Sequence, residues 1–140
     1  MISEKEHIRY GRHILLKEVG VQGQQKLKQA SVLVVGAGGL GCPALQYLVA
    51  AGVGTIGIAD FDMIEESNLQ RQILFNASSI GKNKATTAKN VLSKNNPLIT
   101  INTHPEGLLQ SNALELFAKY DIILDSTDNY ASRYIINDAA

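Results

Sequence analysis

Four glycines within six positions are the first residues of this chain that indicate chemistry. Residues 36 to 41 read GAGGLG, so Gly36, Gly38 and Gly41 fit the pattern G-x-G-x-x-G, and Gly39 is an additional glycine. The first glycine of such a loop allows a tight turn, and the next lets backbone N–H groups approach phosphate near a helix N-terminus. The loop therefore predicts a bound phosphate compound, and NAD, FAD and ATP all remain open. The alternative is a turn that only packs a helix against a strand.

An acidic residue stands where such loops usually have a ribose-binding carboxylate. Asp60 ends the apolar stretch TIGIAD, at close to the roughly 20-residue spacing from the glycine loop that is typical of these sites. We expect its carboxylate to accept hydrogen bonds from the 2′- and 3′-hydroxyls of a ribose. NAD and ATP both carry a ribose, so Asp60 indicates the sugar and leaves the reaction open.

The segment after this carboxylate helps to choose between the ligands. It is long and irregular, which in a compact domain usually indicates function. Its polar residues are Asn68, Arg71, Gln72, Lys82 and Lys84. The planar guanidinium of Arg71 can hold two phosphate oxygens and Lys84 can neutralise another, so together they favour a triphosphate over a diphosphate bridge. The alternative is a solvated polar loop with ordinary surface cations.

A second acidic motif, DSTDN, follows the last predicted strand. We expect Asp125 and Asp128 to point into the crevice in which open parallel sheets bind ligands. Magnesium is commonly held by one carboxylate together with nucleotide phosphates, and Asp128 is the candidate for that carboxylate. The alternative for Asp128 is a helix N-cap, a role for which Asn129 competes.

Strands and helices alternate along the chain that positions these residues. Ser3 and Glu6 form a capping-box pattern that opens a short helix carrying Arg9, Tyr10 and Arg12, and a second helix is expected around Gln22 to Lys28. The predicted strands are 31–35, 55–60, 98–103 and 121–125. Further helices are predicted from near Pro43 to Gly52, over 82–95 before Pro97, over 111–120 with Ser111 as cap, and over 129–140 opened by Asn129.

This alternation predicts an α/β fold with a Rossmann-like, doubly wound and mostly parallel sheet. Right-handed crossovers give the strand order 3-2-1-4, in which strands two and four flank strand one. We expect residues 1–30 to form an N-terminal helical segment and residues 31–140 a nucleotide-binding domain. Four strands make a narrow sheet, which favours the front part of a longer protein.

The composition excludes several classes of function. The chain has 140 residues, of which 45% are hydrophobic and 19% charged, as in one soluble globular domain. Basic and acidic residues number 13 each, without the basic surplus that nucleic-acid binding requires. The polar N-terminus and the absence of a long apolar run predict a cytoplasmic protein with no membrane segment. Cys42 is the single cysteine, so no disulfide or cysteine-built zinc site can form within the chain, and we interpret it as a small buried residue.

Several motifs together resemble a known family. They are RYGRHI, GQQKL, VLVVGAGGLGCPALQYLVAAGVGTI, ADFD, SNLQRQ, IGKNKA and DSTDNYASRY, in that order from about Arg9 to the last residue. In this combination they closely resemble the adenylating enzymes of molybdopterin and thiamine biosynthesis, the ThiF/MoeB group related to ubiquitin-activating enzymes.

The resemblance implies that ATP with Mg²⁺ adenylates the C-terminal glycine carboxylate of a ubiquitin-like sulfur-carrier protein ending in Gly-Gly, with release of pyrophosphate. It also implies a homodimer, in which Arg12 reaches the phosphates bound by the partner. Relatives normally continue into zinc-binding C-x-x-C pairs, which this chain lacks. The resemblance assigns the ATP site to Gly39, Asp60, Ser67, Asn68, Leu69, Gln70, Arg71, Lys84, Asp128 and Asn129, with Asp128 as the magnesium ligand. The glycine pattern adds Gly36, Gly38 and Gly41 to the predicted site.

Three alternatives remain open at this stage. An NAD- or FAD-dependent oxidoreductase would explain the glycine loop and Asp60 but would give SNLQRQ and Lys84 no role. A truncated nucleotide-binding module without turnover would fit the absence of the zinc pairs. A relative that acts on a tRNA base modification is the third possibility, and the carrier protein itself is not predicted.

Overall fold

A four-stranded parallel sheet forms the centre of the molecule. The computed structural model describes residues 1–140, with strands β1 (Ser31–Val35), β2 (Thr55–Ala59), β3 (Thr100–His104) and β4 (Ile122–Asp125). Their order is β3-β2-β1-β4, and all three neighbouring pairs are parallel. The predicted order 3-2-1-4 and the doubly wound fold class are confirmed.

Helices cover both faces of this sheet. They are α1 (Glu4–Arg9), α2 (Gly11–Leu15), α3 (Gly20–Gln29), α4 (Gly41–Ala51), α5 (Lys84–Asn95), α6 (Ala113–Ala118) and α7 (Tyr130–Ala139). Alternate residues of β1 belong to different cores: Val32 and Val34 pack in the cluster that contains α4 and α5 side chains, and Leu33 and Val35 in the cluster of α6 and α7. The continuous apolar run of β1 is explained by this burial on both faces.

The N-terminal helices differ from the prediction in one respect. The capping box between Ser3 and Glu6 is present, but α1 ends at Arg9 and a separate helix α2 begins at Gly11. Tyr10 lies at the junction with φ −102° and ψ 15°, and its buried hydroxyl accepts a hydrogen bond of 2.7 Å from Asn96 Nδ2. We attribute the break between α1 and α2 to Gly11, which has a low helix propensity, and to the burial of Tyr10.

Residues 1–30 pack against the ends of α4 and α5. Gln24 Nε2 donates to Ala51 O at 2.8 Å, and Asn96 Nδ2, the donor to Tyr10, also donates to Val49 O at 2.8 Å. Gly52 ends α4 in the left-handed conformation at φ 87°, as its predicted role as a helix stop requires. The division into a helical segment and a domain starting at residue 31 stays a prediction.

Two boundaries later in the chain are corrected. β3 begins at Thr100, two residues after the predicted start, and α6 begins at Ala113 without a capping bond from Ser111. Asn112 makes the local bond instead, because its Oδ1 accepts from Leu109 N at 2.8 Å. At α7 the prediction is confirmed, since Asn129 Oδ1 accepts from Ser132 N at 2.8 Å. None of the helices is both long and apolar enough to cross a lipid bilayer.

Candidate functional site

A cavity of about 490 Å³ opens at the carboxyl ends of β1, β2 and β4. Its size is in the range of small-molecule sites, and its position is the switch point at which open α/β sheets bind ligands. The predicted site residues that line it are Gly36, Gly38, Gly39, Asp60, Arg71, Lys84, Asp128 and Asn129. Three segments far apart in the sequence therefore meet around one space.

The glycines of the loop have two different structural roles. Gly36 has φ 98°, and a Cβ at Gly41 would lie 1.9 Å from Gly36 O. Ser126 Oγ donates to Gly36 O at 2.6 Å and so ties the turn after β4 to the loop. Gly36 and Gly41 thus allow a close approach of backbone to backbone, and Gly36 also lines the cavity together with Gly38 and Gly39.

The loop offers unused backbone donors at the head of α4. The N–H groups of Gly38, Gly39 and Leu40 donate to no group of the protein. The 11-residue helix α4 begins directly after them. Unpaired amides at a helix N-terminus attract anions, so this end of the cavity suits a phosphate.

Asp60 is the buried carboxylate of the site. Its Oδ2 accepts from Ala37 N at 2.7 Å and its Oδ1 accepts from Asp62 N at 2.8 Å. Burial raises the pKa of Asp60, and the two backbone hydrogen bonds act in the opposite direction. Each carboxylate oxygen retains a lone pair for a further donor, as a ribose hydroxyl would require.

Two cations border the same space. The aliphatic part of Arg71 packs against Gly39, and its Nη1 donates to Ser67 O at 3.2 Å. The Lys84 side chain is 8% exposed, and its Nζ lies 3.9 Å from Asp62 Oδ2 without donating a hydrogen bond. A buried ammonium with so little compensation is available to an incoming anion.

The SNLQ part of the motif lies next to Arg71 in the structure. Residues 67–70 do not line it, and Asn68 belongs to a 3₁₀ turn of Glu66–Asn68. Asn68 O accepts from Arg71 N at 3.2 Å and from Gln72 N at 2.9 Å. The geometry therefore gives Ser67, Asn68, Leu69 and Gln70 a place next to Arg71 rather than in the wall.

The motif after β4 divides its polar groups between structure and cavity. Asn129 is the residue that caps α7. The carboxylate of Asp128 makes no hydrogen bond within the chain, and Asp128 lines the cavity. The structure differs from the prediction at Asp125, which does not line the cavity because its Oδ1 accepts from Thr127 N and Thr127 Oγ1 at 2.9 and 2.6 Å. One free carboxylate beside a phosphate site suits magnesium, which prefers few protein ligands and phosphate oxygens.

Two predicted residues lie outside this wall. Arg12 is exposed on α2 and does not border the cavity of its own chain. Cys42 is fully buried behind the glycine loop, where its Sγ contacts Ala37 O at 3.5 Å and burial raises its pKa to about 11. A thiol in this state is a poor nucleophile, which supports the interpretation of Cys42 as a packing residue.

Two residues of this site, Ser126 and Arg133, were not predicted from the sequence. Arg133 lines the cavity from the first turn of α7, with its Nη2 donating to Thr127 O at 3.1 Å. Its position four residues after the cap Asn129 is the signal that could have revealed it, since residues so spaced share one face of a helix.

Comparisons with known proteins give one consistent result. The sequence model of the ThiF family matches residues 10–140. The chain is 54% identical over 139 residues to a probable adenylyltransferase/sulfurtransferase MoeZ of Mycobacterium tuberculosis (strain CDC 1551 / Oshkosh), covering 99% of this chain and 36% of the relative. It is 49% identical over 138 residues to a sulfur carrier protein adenylyltransferase of Thermus thermophilus, covering 99% of this chain and 51% of that protein.

Solved structures agree with the fold. The crystal structure of PaaA has a TM-score of 0.86 at 29% identity and covers 99% of this chain and 45% of PaaA. E. coli MccB, solved with ATP, has a TM-score of 0.80 at 32% identity and covers 92% of this chain and 40% of MccB. The chain thus spans about a third to a half of the length of the curated relatives it matches.

Proposed function

Because the chain belongs to the ThiF family, we propose that it adenylates the C-terminal glycine carboxylate of a ubiquitin-like sulfur-carrier protein with ATP. The observation that carries the proposal is the meeting of unpaired loop amides with Arg71, Lys84 and Asp128 around one cavity. A diphosphate bridge of NAD or FAD gives no task to so many charged groups. One relative named as a probable adenylyltransferase/sulfurtransferase and another named as a sulfur carrier protein adenylyltransferase support the same proposal.

Each group has a task in this proposal. The amides of Gly38 and Gly39 bind phosphate oxygens, and Asp60 accepts from the ribose hydroxyls. Arg71 and Lys84 neutralise the triphosphate. Asn129 and the segment Ser67, Asn68, Leu69 and Gln70 complete the proposed nucleotide site, and the carbonyl oxygens of Ser67 and Asn68 accept hydrogen bonds from Arg71. Gly36 and Gly41 keep the loop in its shape.

The reaction is a displacement at the α-phosphorus. An oxygen of the carrier carboxylate forms the new bond to phosphorus, and the bond to the oxygen that bridges the α- and β-phosphates breaks. The electron pair leaves on pyrophosphate, and the carrier becomes an acyl-adenylate. The nucleophile is already ionised at neutral pH, so no general base is needed. Negative charge gathers on both reactants, which gives the positive groups their role in positioning and charge stabilisation.

Asp128 is the residue that would hold Mg²⁺ in this scheme. Its carboxylate is free of hydrogen bonds, and phosphate oxygens and water would complete the coordination. The metal would supply charge neutralisation of the phosphates. The proposal also includes a cytoplasmic location and a homodimer. In this homodimer Arg12 contacts the phosphates bound by the partner, because Arg12 is exposed and does not line the cavity of its own chain.

Carrier-dependent exchange between ATP and pyrophosphate tests the proposal. Candidate carriers ending in Gly-Gly are added to the chain with ATP-Mg, and exchange is expected with at least one of them. Arg71→Ala and Asp128→Ala are expected to abolish exchange while the circular dichroism spectrum is retained. Exposed Lys94→Ala is the matched control and keeps exchange.

The exchange assay, together with binding titrations of ATP and NADH, distinguishes the alternatives. Near-normal exchange in both Arg71→Ala and Asp128→Ala contradicts the assigned site. Tight binding of NADH without binding of ATP contradicts the reaction class. Binding of ATP without exchange for any carrier favours a nucleotide-binding module without turnover.

A further inference from the structure

Two glutamines are buried in this molecule, and their side-chain amides differ in hydrogen bonding. Gln24 is 0% exposed, with Nε2 donating to Ala51 O at 2.8 Å and Oε1 in contact with His13 Nδ1 at 3.2 Å. Gln72 is 3% exposed, and its Oε1 is buried without a hydrogen-bond partner. Its Nε2 also donates to no group of the protein. Gln24 is a satisfied core residue, and Gln72 is not.

A buried carbonyl oxygen without a partner, such as Oε1 of Gln72, is costly to the folded state. Removing such a group from water without compensation costs about 1–3 kcal/mol, and native proteins keep few of them. Gln72 is held there by its own backbone, because its N–H donates to Asn68 O at 2.9 Å and its carbonyl accepts from Phe75 N at 3.2 Å. The side chain is thus retained in an unfavourable setting, as is common for groups that act on a ligand.

The unpartnered amide borders the candidate site. Gln72 lines the same cavity as Lys84, and its Nε2 lies 3.6 Å from the position that a Cβ on Gly38 would occupy. The backbone N–H of Gly38 is itself unpaired. Gln72 and Gly38, each with a donor that no protein group accepts from, are therefore neighbours in the wall of one cavity.

We infer that Gln72 binds the nucleotide directly, with its Nε2 donating to a phosphate oxygen held at Gly38. Lys84 Nζ lines the same cavity without a hydrogen bond of its own and is the neighbouring cation. The inference rests on the proposed function, since it requires ATP in the cavity. It adds to the site a neutral residue that contacts phosphate without adding charge.

Gln72→Met tests this assignment, because methionine has a similar volume and neither donor nor acceptor. Without nucleotide we expect an unfolding temperature equal to or above that of the parent chain, since the unsatisfied amide is gone. We expect the Kd for ATP-Mg, measured by calorimetry, to rise about tenfold, as the loss of one hydrogen bond to a charged group predicts. Binding of adenosine, which has no phosphate, is expected to stay unchanged.

Gln24→Met is the matched control. It removes an amide whose partners lie away from the cavity, so we expect a lower unfolding temperature and an unchanged Kd for ATP. Gln72→Met is thus expected to lose ATP affinity and keep its stability, whereas Gln24→Met is expected to lose stability and keep its ATP affinity. If Gln72 had only a structural role, Gln72→Met would instead behave like Gln24→Met, with a lower unfolding temperature and an unchanged Kd for ATP.

Gln72→Glu provides a second readout with nearly the same shape as the native side chain. Its carboxylate would face phosphate, so we expect a larger loss of ATP affinity than in Gln72→Met. ATP affinity at the parent level in either variant, or an equal loss for adenosine, overturns the inference while the proposed function stands. Failure of the parent chain to bind ATP overturns both.

Discussion

Asp60 Oδ2 accepts a hydrogen bond of 2.7 Å from the backbone N–H of Ala37. Asp60, which follows β2, thereby holds Ala37 in the glycine loop that follows β1. Asp60 is almost fully buried. The same group that is proposed to bind the ribose also shapes the phosphate loop. Loss of Asp60 should therefore affect the folded state as well as the affinity for nucleotide.

Asp60→Ala is expected to lower the free energy of unfolding by about 1–3 kcal/mol, since the N–H groups of Ala37 and Asp62 lose their acceptor in a poorly hydrated place. Urea titration of the nucleotide-free chain measures this loss. Asp62→Ala removes an exposed carboxylate whose only ion pair is long, and it should change stability by less than about 0.5 kcal/mol. Equal effects of the two substitutions would contradict the role of Asp60 in the loop.

Lys84→Met is expected to weaken ATP binding at least tenfold without lowering stability. The ammonium is buried and makes no hydrogen bond, so an apolar side chain of similar length suits the nucleotide-free fold at least as well. Calorimetry with ATP and thermal unfolding without it measure the two effects. Lys82→Met, at an exposed position, should change neither quantity. A marked fall in stability of Lys84→Met would indicate a structural lysine instead.

Gly41→Ala is expected to cost about 3 kcal/mol of stability, because the new Cβ would lie 1.9 Å from Gly36 O and backbone cannot yield as a side chain can. Gly11→Ala is the control, since a Cβ there meets nothing within 4 Å. That control should be neutral or slightly stabilising. Chemical denaturation of both variants compares the costs, and a stable Gly41→Ala chain would show that the loop can shift.

His104 makes stability depend on pH. Burial lowers its pKa from the ordinary value of 6.5, Glu106 raises it and Lys119 lowers it, and its Nε2 lies 2.9 Å from Tyr120 Oη. A lowered folded-state pKa means that the neutral form is favoured by folding. Its contribution is therefore fully present above about pH 6.5 and is lost as pH falls through the folded-state pKa.

Urea unfolding at pH 7.5 and at pH 5.5 measures this effect. The parent chain should lose more stability between the two values than His104→Gln, which cannot be protonated. Exposed His7→Gln should behave like the parent. Identical pH dependence in the parent and in His104→Gln would contradict the assignment.

The sequence encodes the sheet more directly than it encodes the caps and breaks. The run SVLVV predicts a strand buried on both faces, and the alternation of elements leads to the observed order because crossovers are right-handed. The break at Tyr10 depends on a bond to Asn96, which lies far away in the chain. No local pattern contains such a contact, so the short helix was predicted as continuous.

The site shows the same limit. Glycine spacing and Asp60 point to the cavity from the sequence, because each occupies a strand end that the fold brings together. The choice between Asp125 and Asp128 is decided by a turn in which Thr127 occupies the Asp125 carboxylate. The unpartnered amide of Gln72 has no signature at all, since an unmade hydrogen bond exists only in three dimensions.

The central position of β1 has a consequence for synthesis on the ribosome. Val32 pairs with Ile56 on one side and with Ile122 on the other, so the second edge of the most apolar strand lacks its partner until β4 has left the exit tunnel. An open apolar edge invites pairing with other chains. Nascent chains stalled before residue 125 should therefore need chaperones and aggregate when released, whereas β1 is paired on both sides once β4 has emerged.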